Sequence, residues 1–212
     1  MRLRGLYLIA DRRVSGERSV PDLVKAAIEG GLQLVQYREK ELPKQDTFRV
    51  AQVLRELTQA SGVVFIINDD VDLALAVEAD GVHLGQEDLP LPVARKILGN
   101  RKIIGISVRD THAAKQAVEE RADYLAVGPI FSSTTKQVCP PMGCGIIREI
   151  RKLTDLPLFG IGGIDSTNAC RVIQAGADGV AVIASLHKVS DVTRATREFL
   201  EILKRCKKDE GM

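Results

Sequence analysis

Ser133, Thr134, Thr135 and Lys136 stand in a row just after the turn Gly128-Pro-Ile-Phe131. The row sets neutral hydrogen-bond donors beside a fixed positive charge, a combination able to hold and neutralise a phosphate or diphosphate group. A hydroxyl-rich turn ending in lysine is also an ordinary solvated loop, so its meaning depends on what other parts of the chain carry. Polar groups suited to the same anion follow several apolar runs: Gln36, Arg38, Glu39 and Lys40 around the end of one, Asn68, Asp69 and Asp70 after another. Gln86, Glu87 and Asp88 follow a third, Ser107 a fourth, and Gly162 with Gly163 a fifth.

These groups can meet only if the runs are strands of one sheet. Eight short runs rich in Val, Ile and Leu recur: Leu6 to Ala10, Leu32 to Tyr37, Val63 to Ile67, Gly81 to Leu84, Lys102 to Ile106, Tyr124 to Val127, Leu158 to Ile161 and Gly179 to Ile183. Between them lie stretches with helical periodicity, such as Val20 to Ile28 after an N-cap at Ser19, Phe48 to Leu57, Ala113 to Val118, Ile146 to Leu153, Ala169 to Ala175 and Val192 to Leu203. Gly30-Gly31, Gly62, Gly99 and Gly176 punctuate helix ends, where the left-handed region suits glycine. Continuous apolar strands alternating with helices predict a parallel sheet, and eight such units predict one α/β domain over residues 1–212, a (β/α)8 TIM barrel. An open doubly wound sheet is the alternative. Gly160-Ile-Gly-Gly163 does not complete a dinucleotide fingerprint, because Asp165 stands where its third glycine belongs.

In a barrel all strand C-termini point to one face, so these groups converge on one cationic, hydroxyl-lined bowl. Asp69 and Asp88 would stand there beside the anion. Each alone reads as a cap, for a helix starting near Val71 or a turn before Pro90. Together with Arg38, Lys40 and Lys136 they read as ligands of a Mg2+ that bridges to phosphate oxygens. Gly162-Gly163, ahead of a helix entered at Asp165 and Ser166, suits a second phosphate, although a plain tight turn would look the same. His83 reads as a packed histidine, and His112 and His187 as helix-start residues.

Composition excludes several classes. The net charge of +2 is too small to imply nucleic acid, and only Lys204 to Lys208 is visibly basic. Leu6 to Ala10 is too short for a signal-peptide core, and no apolar run could span a membrane, which predicts a cytoplasmic protein. Cys139, Cys144, Cys170 and Cys206 lack paired metal or redox spacing and read as free thiols; a Cys139–Cys144 bridge is the weaker alternative. Oligomeric state is left open, a homo-oligomer included.

With these residues placed, the chain resembles the thiamine-phosphate synthase family over essentially its whole length. The resemblance rests on Gln36-Tyr-Arg-Glu-Lys40, Ile67-Asn-Asp-Asp70, Gly81-Val-His-Leu-Gly-Gln-Glu-Asp88, Gly128-Pro-Ile-Phe131 with Thr135-Lys136, Gly160-Ile-Gly-Gly-Ile164 and Gly176-Ala-Asp-Gly-Val180. It implies a transferase that joins 4-amino-5-hydroxymethyl-2-methylpyrimidine diphosphate to hydroxyethyl-methylthiazole phosphate, releasing diphosphate by a dissociative route. It implies that Gln36, Tyr37, Arg38, Glu39, Lys40, Asn68, Ser107 and Lys136 hold the pyrimidine diphosphate, with Lys136, Arg38 and Ser107 catalytic. Asp69 and Asp88 would hold magnesium, and Ser133, Thr134, Thr135, Gly163, Ile183 and Ala184 would receive the thiazole phosphate. Ser133 replaces the family's usual Thr, and Ala184 its usual Ser. A related thiazole tautomerase would carry a histidine where this chain has Pro129, and a non-catalytic binder would be expected to lack Lys136 or one aspartate.

Overall fold

The computed structural model describes residues 3–132 and 140–208. Ser133, Thr134, Thr135, Lys136 and Cys139 lie outside the described residues. Eight strands, β1 (Gly5–Asp11), β2 (Leu34–Arg38), β3 (Val64–Asn68), β4 (Gly81–Leu84), β5 (Ile103–Val108), β6 (Tyr124–Val127), β7 (Leu158–Ile161) and β8 (Gly179–Val182), run in chain order. Each pairs in parallel with the next, and β8 pairs back to β1, so the sheet closes into the expected barrel. Around it lie α1 (Arg12–Ser15), α2 (Val20–Glu29), α3 (Lys44–Ser61), α4 (Val71–Ala76) and α5 (Leu91–Leu98). They are followed by α6 (Thr111–Glu119), α7 (Gly145–Arg151), α8 (Ala169–Ile173), α9 (Ala184–His187) and α10 (Val192–Lys208).

Two apolar layers follow from the two-residue period of the strands. Leu6, Leu8, Val35, Tyr37, Phe65 and Ile67 face outward, where Leu23, Val24, Ala51, Leu54 and the other helix stripes cover them. Tyr7, Leu34, Ile66, Tyr124, Phe159 and Ala181 face inward and form a separate core inside the barrel. The rings of Tyr7, Tyr124 and Phe159 meet edge to face, with centroids 5.3 to 5.9 Å apart. Glycine makes room for them. A Cβ on Gly105 would stand 2.0 Å from Cζ of Tyr124, and one on Gly179 2.6 Å from the Phe159 ring.

Several local expectations need correction. Gly30 is not left-handed, with φ of −76°. It is glycine because α10 crosses there, and a Cβ would lie 2.6 Å from Cβ of Thr196. α5, which lacks a side-chain N-cap and begins beside two prolines, was signalled only by its end at Gly99. His187 ends α9 rather than starting a helix. The cysteines are not all free: Cys170 on α8 is bonded to Cys206 on α10, and among the described residues Cys144 is the free thiol. The pair lies 36 positions apart with no motif between them, so only packing of the last helix on α8 brings the sulfurs together.

Two outcomes are expected. Reduction, or Cys206→Ala, should lower unfolding free energy by about 2–4 kcal/mol through the freed loop; superimposable denaturation curves with and without reductant would show that the bond does not form. Gly105→Ala should destabilise by about 1–3 kcal/mol or more by overpacking, measured by urea unfolding, and more than Gly145→Ala, where a Cβ meets nothing within 4 Å and the backbone is not left-handed.

Candidate active site at the strand C-termini

The inward rows end in polar side chains. Gln36 and Arg38 close β2, Asn68 closes β3 opposite His83 of β4, and Ser107 nears the end of β5. Arg38 is fixed by Asp11, the last residue of β1, whose carboxylate also accepts from Nη2 of Arg13 at 3.1 Å. Burial raises the Asp11 carboxyl, but Arg13 and Arg38 outweigh it and hold it below the usual carboxylate range. The Asp11 backbone N–H donates to Nε2 of His187 at 3.1 Å, and Nδ1–H of that ring donates to the Ile183 carbonyl at 2.7 Å. Asp11 and His187 therefore tie the end of β1 to the end of β8. Asp11 was missed as a site residue; its signal was its position as the first charge after the first apolar run.

Beyond β2 the chain turns on Glu39. One carboxylate oxygen accepts from the N–H groups of Lys40, Glu41 and Leu42 at 2.9, 2.8 and 3.2 Å, and the other pairs with Arg12 at 3.0 Å. Glu39 thus shapes the loop that carries Lys40. Tyr37 also does not reach the bowl, because the strand alternation turns its side chain outward under the helices, where it is 2% exposed.

Lys40 contacts Asp69 directly, and the Asp69 carboxylate lies beside that of Asp88. Asp69 sits at φ 61°, a left-handed conformation costing a non-glycine residue about 1–3 kcal/mol, held by its N–H donating to the His83 carbonyl at 2.8 Å. Burial and the neighbouring Asp88 push the Asp69 carboxyl upward. Burial acts the same way on Asp88, but Asp69, the Gly85 N–H at 2.6 Å and Lys40 outweigh it and hold Asp88 low. Two carboxylates this close repel one another unless positive charge is shared between them, which Lys40 supplies in part and which a divalent metal bound to both oxygens could complete. Among the described residues no third His, Cys, Asp or Glu joins them, which leaves the remaining positions to substrate oxygens and water. Asp69 is not the N-cap of α4: Asp70 occupies that position without a side-chain bond and pairs with Lys44 at 2.5 Å, whereas the Asp88 carboxylate does hold the turn before Pro90 by accepting from the Gly85 N–H.

The neutral groups are placed as follows. Nδ2 of Asn68 is buried with no partner among the described residues, a donor awaiting an acceptor. Oγ of Ser107 lies 2.9 Å from Nε2 of His83, whose ring burial holds down to about 4. The segment after β6 lies along the end of β7, with Ile130 N–H on the Ile161 carbonyl at 2.9 Å and Phe131 N–H on Gly162 at 3.0 Å. Gly163 makes this approach possible, since a Cβ there would stand 2.3 Å from the Ser132 carbonyl, and its φ is 62°. The helix after Gly163 does not begin at Asp165: that carboxylate accepts from the N–H and hydroxyl of Thr167 at 2.8 and 2.6 Å, folding a turn, and α8 starts at Ala169. Ile183 and Ala184 stand half-buried at the start of α9, and Ser185 ties this segment to the Ile164 carbonyl after β7.

A closed parallel barrel that gathers cations, a carboxylate pair and an unpartnered amide donor at its strand C-termini defines a phosphate-handling (β/α)8 enzyme. The sequence pattern of the thiamine monophosphate synthase family matches residues 6–186, and the chain belongs to that family of transferases. The thiamine-phosphate synthase of Moorella thermoacetica is 46% identical over 203 residues, 95% of this chain and 97% of its own. That of Chloroflexus aurantiacus is 46% identical over 195 residues, 92% and 90% of the two chains. The solved thiamine phosphate pyrophosphorylase of Pyrococcus furiosus superposes with a TM-score of 0.88 at 38% identity, covering 95% of this chain and 96% of that one. Among the described residues no helix is long and apolar enough to cross a membrane.

Because the folded Asp11 carboxyl lies below its ordinary value, its stabilisation is present above that value and is lost as pH falls through the folded one. Asp11→Asn should cost about 3 kcal/mol near neutrality, and the gap to wild type should close as pH falls below the ordinary carboxylate range and through the lowered folded value. Denaturant titrations at several pH values measure it; a gap independent of pH would put the stabilisation elsewhere.

Proposed function

We propose that this mouth joins 4-amino-5-hydroxymethyl-2-methylpyrimidine diphosphate to the nitrogen of hydroxyethyl-methylthiazole phosphate, giving thiamine phosphate and diphosphate. The observation that carries the reading is the Asp69–Asp88 pair, one member of which is capped by Lys40, next to the buried unpartnered amide of Asn68. The carbon–oxygen bond to the diphosphate breaks first, and its electron pair leaves with the diphosphate. The thiazole nitrogen lone pair then captures the pyrimidine-stabilised cation. That nitrogen carries no proton, so no general base is required.

Charge grows on the departing diphosphate, so groups aimed at its oxygens lower the barrier most. Arg38, oriented by Asp11, together with Lys40, Asn68 and Ser107, supplies that field from β2, β3 and β5. Asp69 and Asp88 would hold magnesium, which supplies further neutralisation of phosphate oxygens. Lys136 would complete the diphosphate set, and Ser133, Thr134 and Thr135, with Gly163, Ile183 and Ala184, would take the thiazole phosphate; the first four of these lie outside the described residues. Gln36 acts from beneath, through the barrel interior. Ala184 offers only its backbone, so phosphate binding there rests on N–H groups.

Purified protein given both substrates and magnesium should release diphosphate and form thiamine phosphate. Asp69→Ala and Lys136→Ala should each reduce turnover by about a hundredfold or more while leaving circular dichroism unchanged, and chelator should abolish activity until magnesium is restored. Full rates in the presence of chelator would exclude the metal role. A thiazole tautomerase assay on the same preparation should show nothing, because Pro129 cannot shuttle a proton.

A further inference from the structure

A continuous chain of side-chain hydrogen bonds crosses the inside of the barrel. Nε2 of Gln36 donates to the Tyr7 hydroxyl at 2.6 Å, and the Tyr7 and Tyr124 hydroxyls are 2.8 Å apart. The Tyr124 hydroxyl lies 2.9 Å from Nδ1 of His83, and Nε2 of His83 lies 2.9 Å from Oγ of Ser107. Five strands contribute, β2, β1, β6, β4 and β5 in that order. Tyr7 and Tyr124 are 0% exposed, Gln36 1% and His83 6%, whereas Ser107 is half-open. Water therefore cannot stand in for a missing partner except at the Ser107 end.

Counting protons gives this chain a direction. The amide nitrogen of Gln36 can only donate, so Tyr7 accepts from it and has one proton left. If Tyr124 also donated to Tyr7, that proton would be buried without an acceptor, an arrangement disfavoured by about tenfold or more. Tyr7 therefore donates to Tyr124, and Tyr124 donates to Nδ1 of His83. Nδ1 must carry a lone pair, which puts the ring proton on Nε2 and makes it the donor to Ser107. Burial holds both phenols protonated, as the chain requires. Gly105 keeps the geometry, because any side chain there would displace the Tyr124 ring and its hydroxyl.

We propose that Gln36, Tyr7, Tyr124 and His83 form a one-way donor relay that fills the lone pair of Ser107 from below and so commits the serine proton to the anion bound in the mouth. In this role the four are positioning residues that act through Ser107. The proposal rests on the reading of Ser107 as a diphosphate-binding residue, but the state of His83 can be read without any substrate.

Full-length protein labelled with 15N-histidine contains three imidazoles, and the His83 signals are those lost in His83→Gln. At neutral pH without ligand, His83 should appear as the Nε2–H tautomer. Gln36→Glu replaces the donor with an acceptor, reverses every bond, and should convert His83 to the Nδ1–H tautomer. An Nδ1–H tautomer in the wild type, or no change in Gln36→Glu, overturns the relay whatever the enzyme's activity. The kinetic arm separates relay from packing. Tyr124→Phe keeps the ring, should lower kcat by about tenfold with little change in KM, and should cost nothing further in a Ser107→Ala background. Additive losses would mean that Tyr124 acts independently of Ser107. Correct tautomers without thiamine phosphate formation would leave the relay standing and remove the proposed reaction.

Discussion

Closing eight parallel strands on themselves leaves a narrow interior that only a short stack of side chains can fill, and every other feature of this molecule is arranged around that stack. Three aromatic rings occupy it, and they fit because Gly105 and Gly179 on neighbouring strands provide no side chain to compete for the space. Close-packed interiors tolerate neither voids nor overlap, so ring size and glycine position are mutually dependent. The consequence is directional. The lower interior is apolar, with Phe159, Leu34 and Ile66, and polarity increases toward the strand C-termini through Tyr7, Tyr124, Gln36 and His83 until it meets the mouth at Ser107 and Asn68. The floor of the site is thus also the top of the core.

Charge at that mouth is held by pairing rather than by exposure. Arg38 is fixed against Asp11, and Lys40 against Asp69, so both cations are oriented before an anion arrives. Preorganised charges need little rearrangement when the leaving group develops its own, which is where electrostatic catalysis gains most over water. The strained backbone of Asp69 belongs to the same arrangement, since the left-handed conformation places its carboxylate beside Asp88 across adjacent strand ends. Neighbouring loops are joined by contacts that keep these ends in register: Ile130 and Phe131 against β7, Ser185 against Ile164, and Asp11 with His187 between the first and last strands.

Much of this was legible in the residues. The strand boundaries agree to within two residues or so, and the side chains following each apolar run do collect at one face. What was misjudged was misjudged for identifiable reasons. The helix-start reading of His187 failed because the ring instead closes α9 and accepts from the Asp11 N–H, a partner 176 positions away. Asp11 was overlooked because its value depends on Arg38, which is adjacent only through the β1–β2 register. The Asp165 turn delays the following helix because a side chain accepts the N–H that a helix start would have used.

Local pattern by itself determined the number and order of the strands and the alternation of strand with helix, though not the short extra helices α1 and α9, since a run of β-branched residues or an amphipathic stripe depends only on near neighbours. It also determined which residue types could bind an anion or a cation. Tertiary structure alone decided which of them face inward together, that Cys170 and Cys206 are joined, and that Gln36, Tyr7, Tyr124, His83 and Ser107 form one chain. Those facts depend on closure between the first strand and the last and on the docking of the final helix. Contacts between positions separated by up to more than a hundred residues leave no periodicity in the sequence from which they could be read.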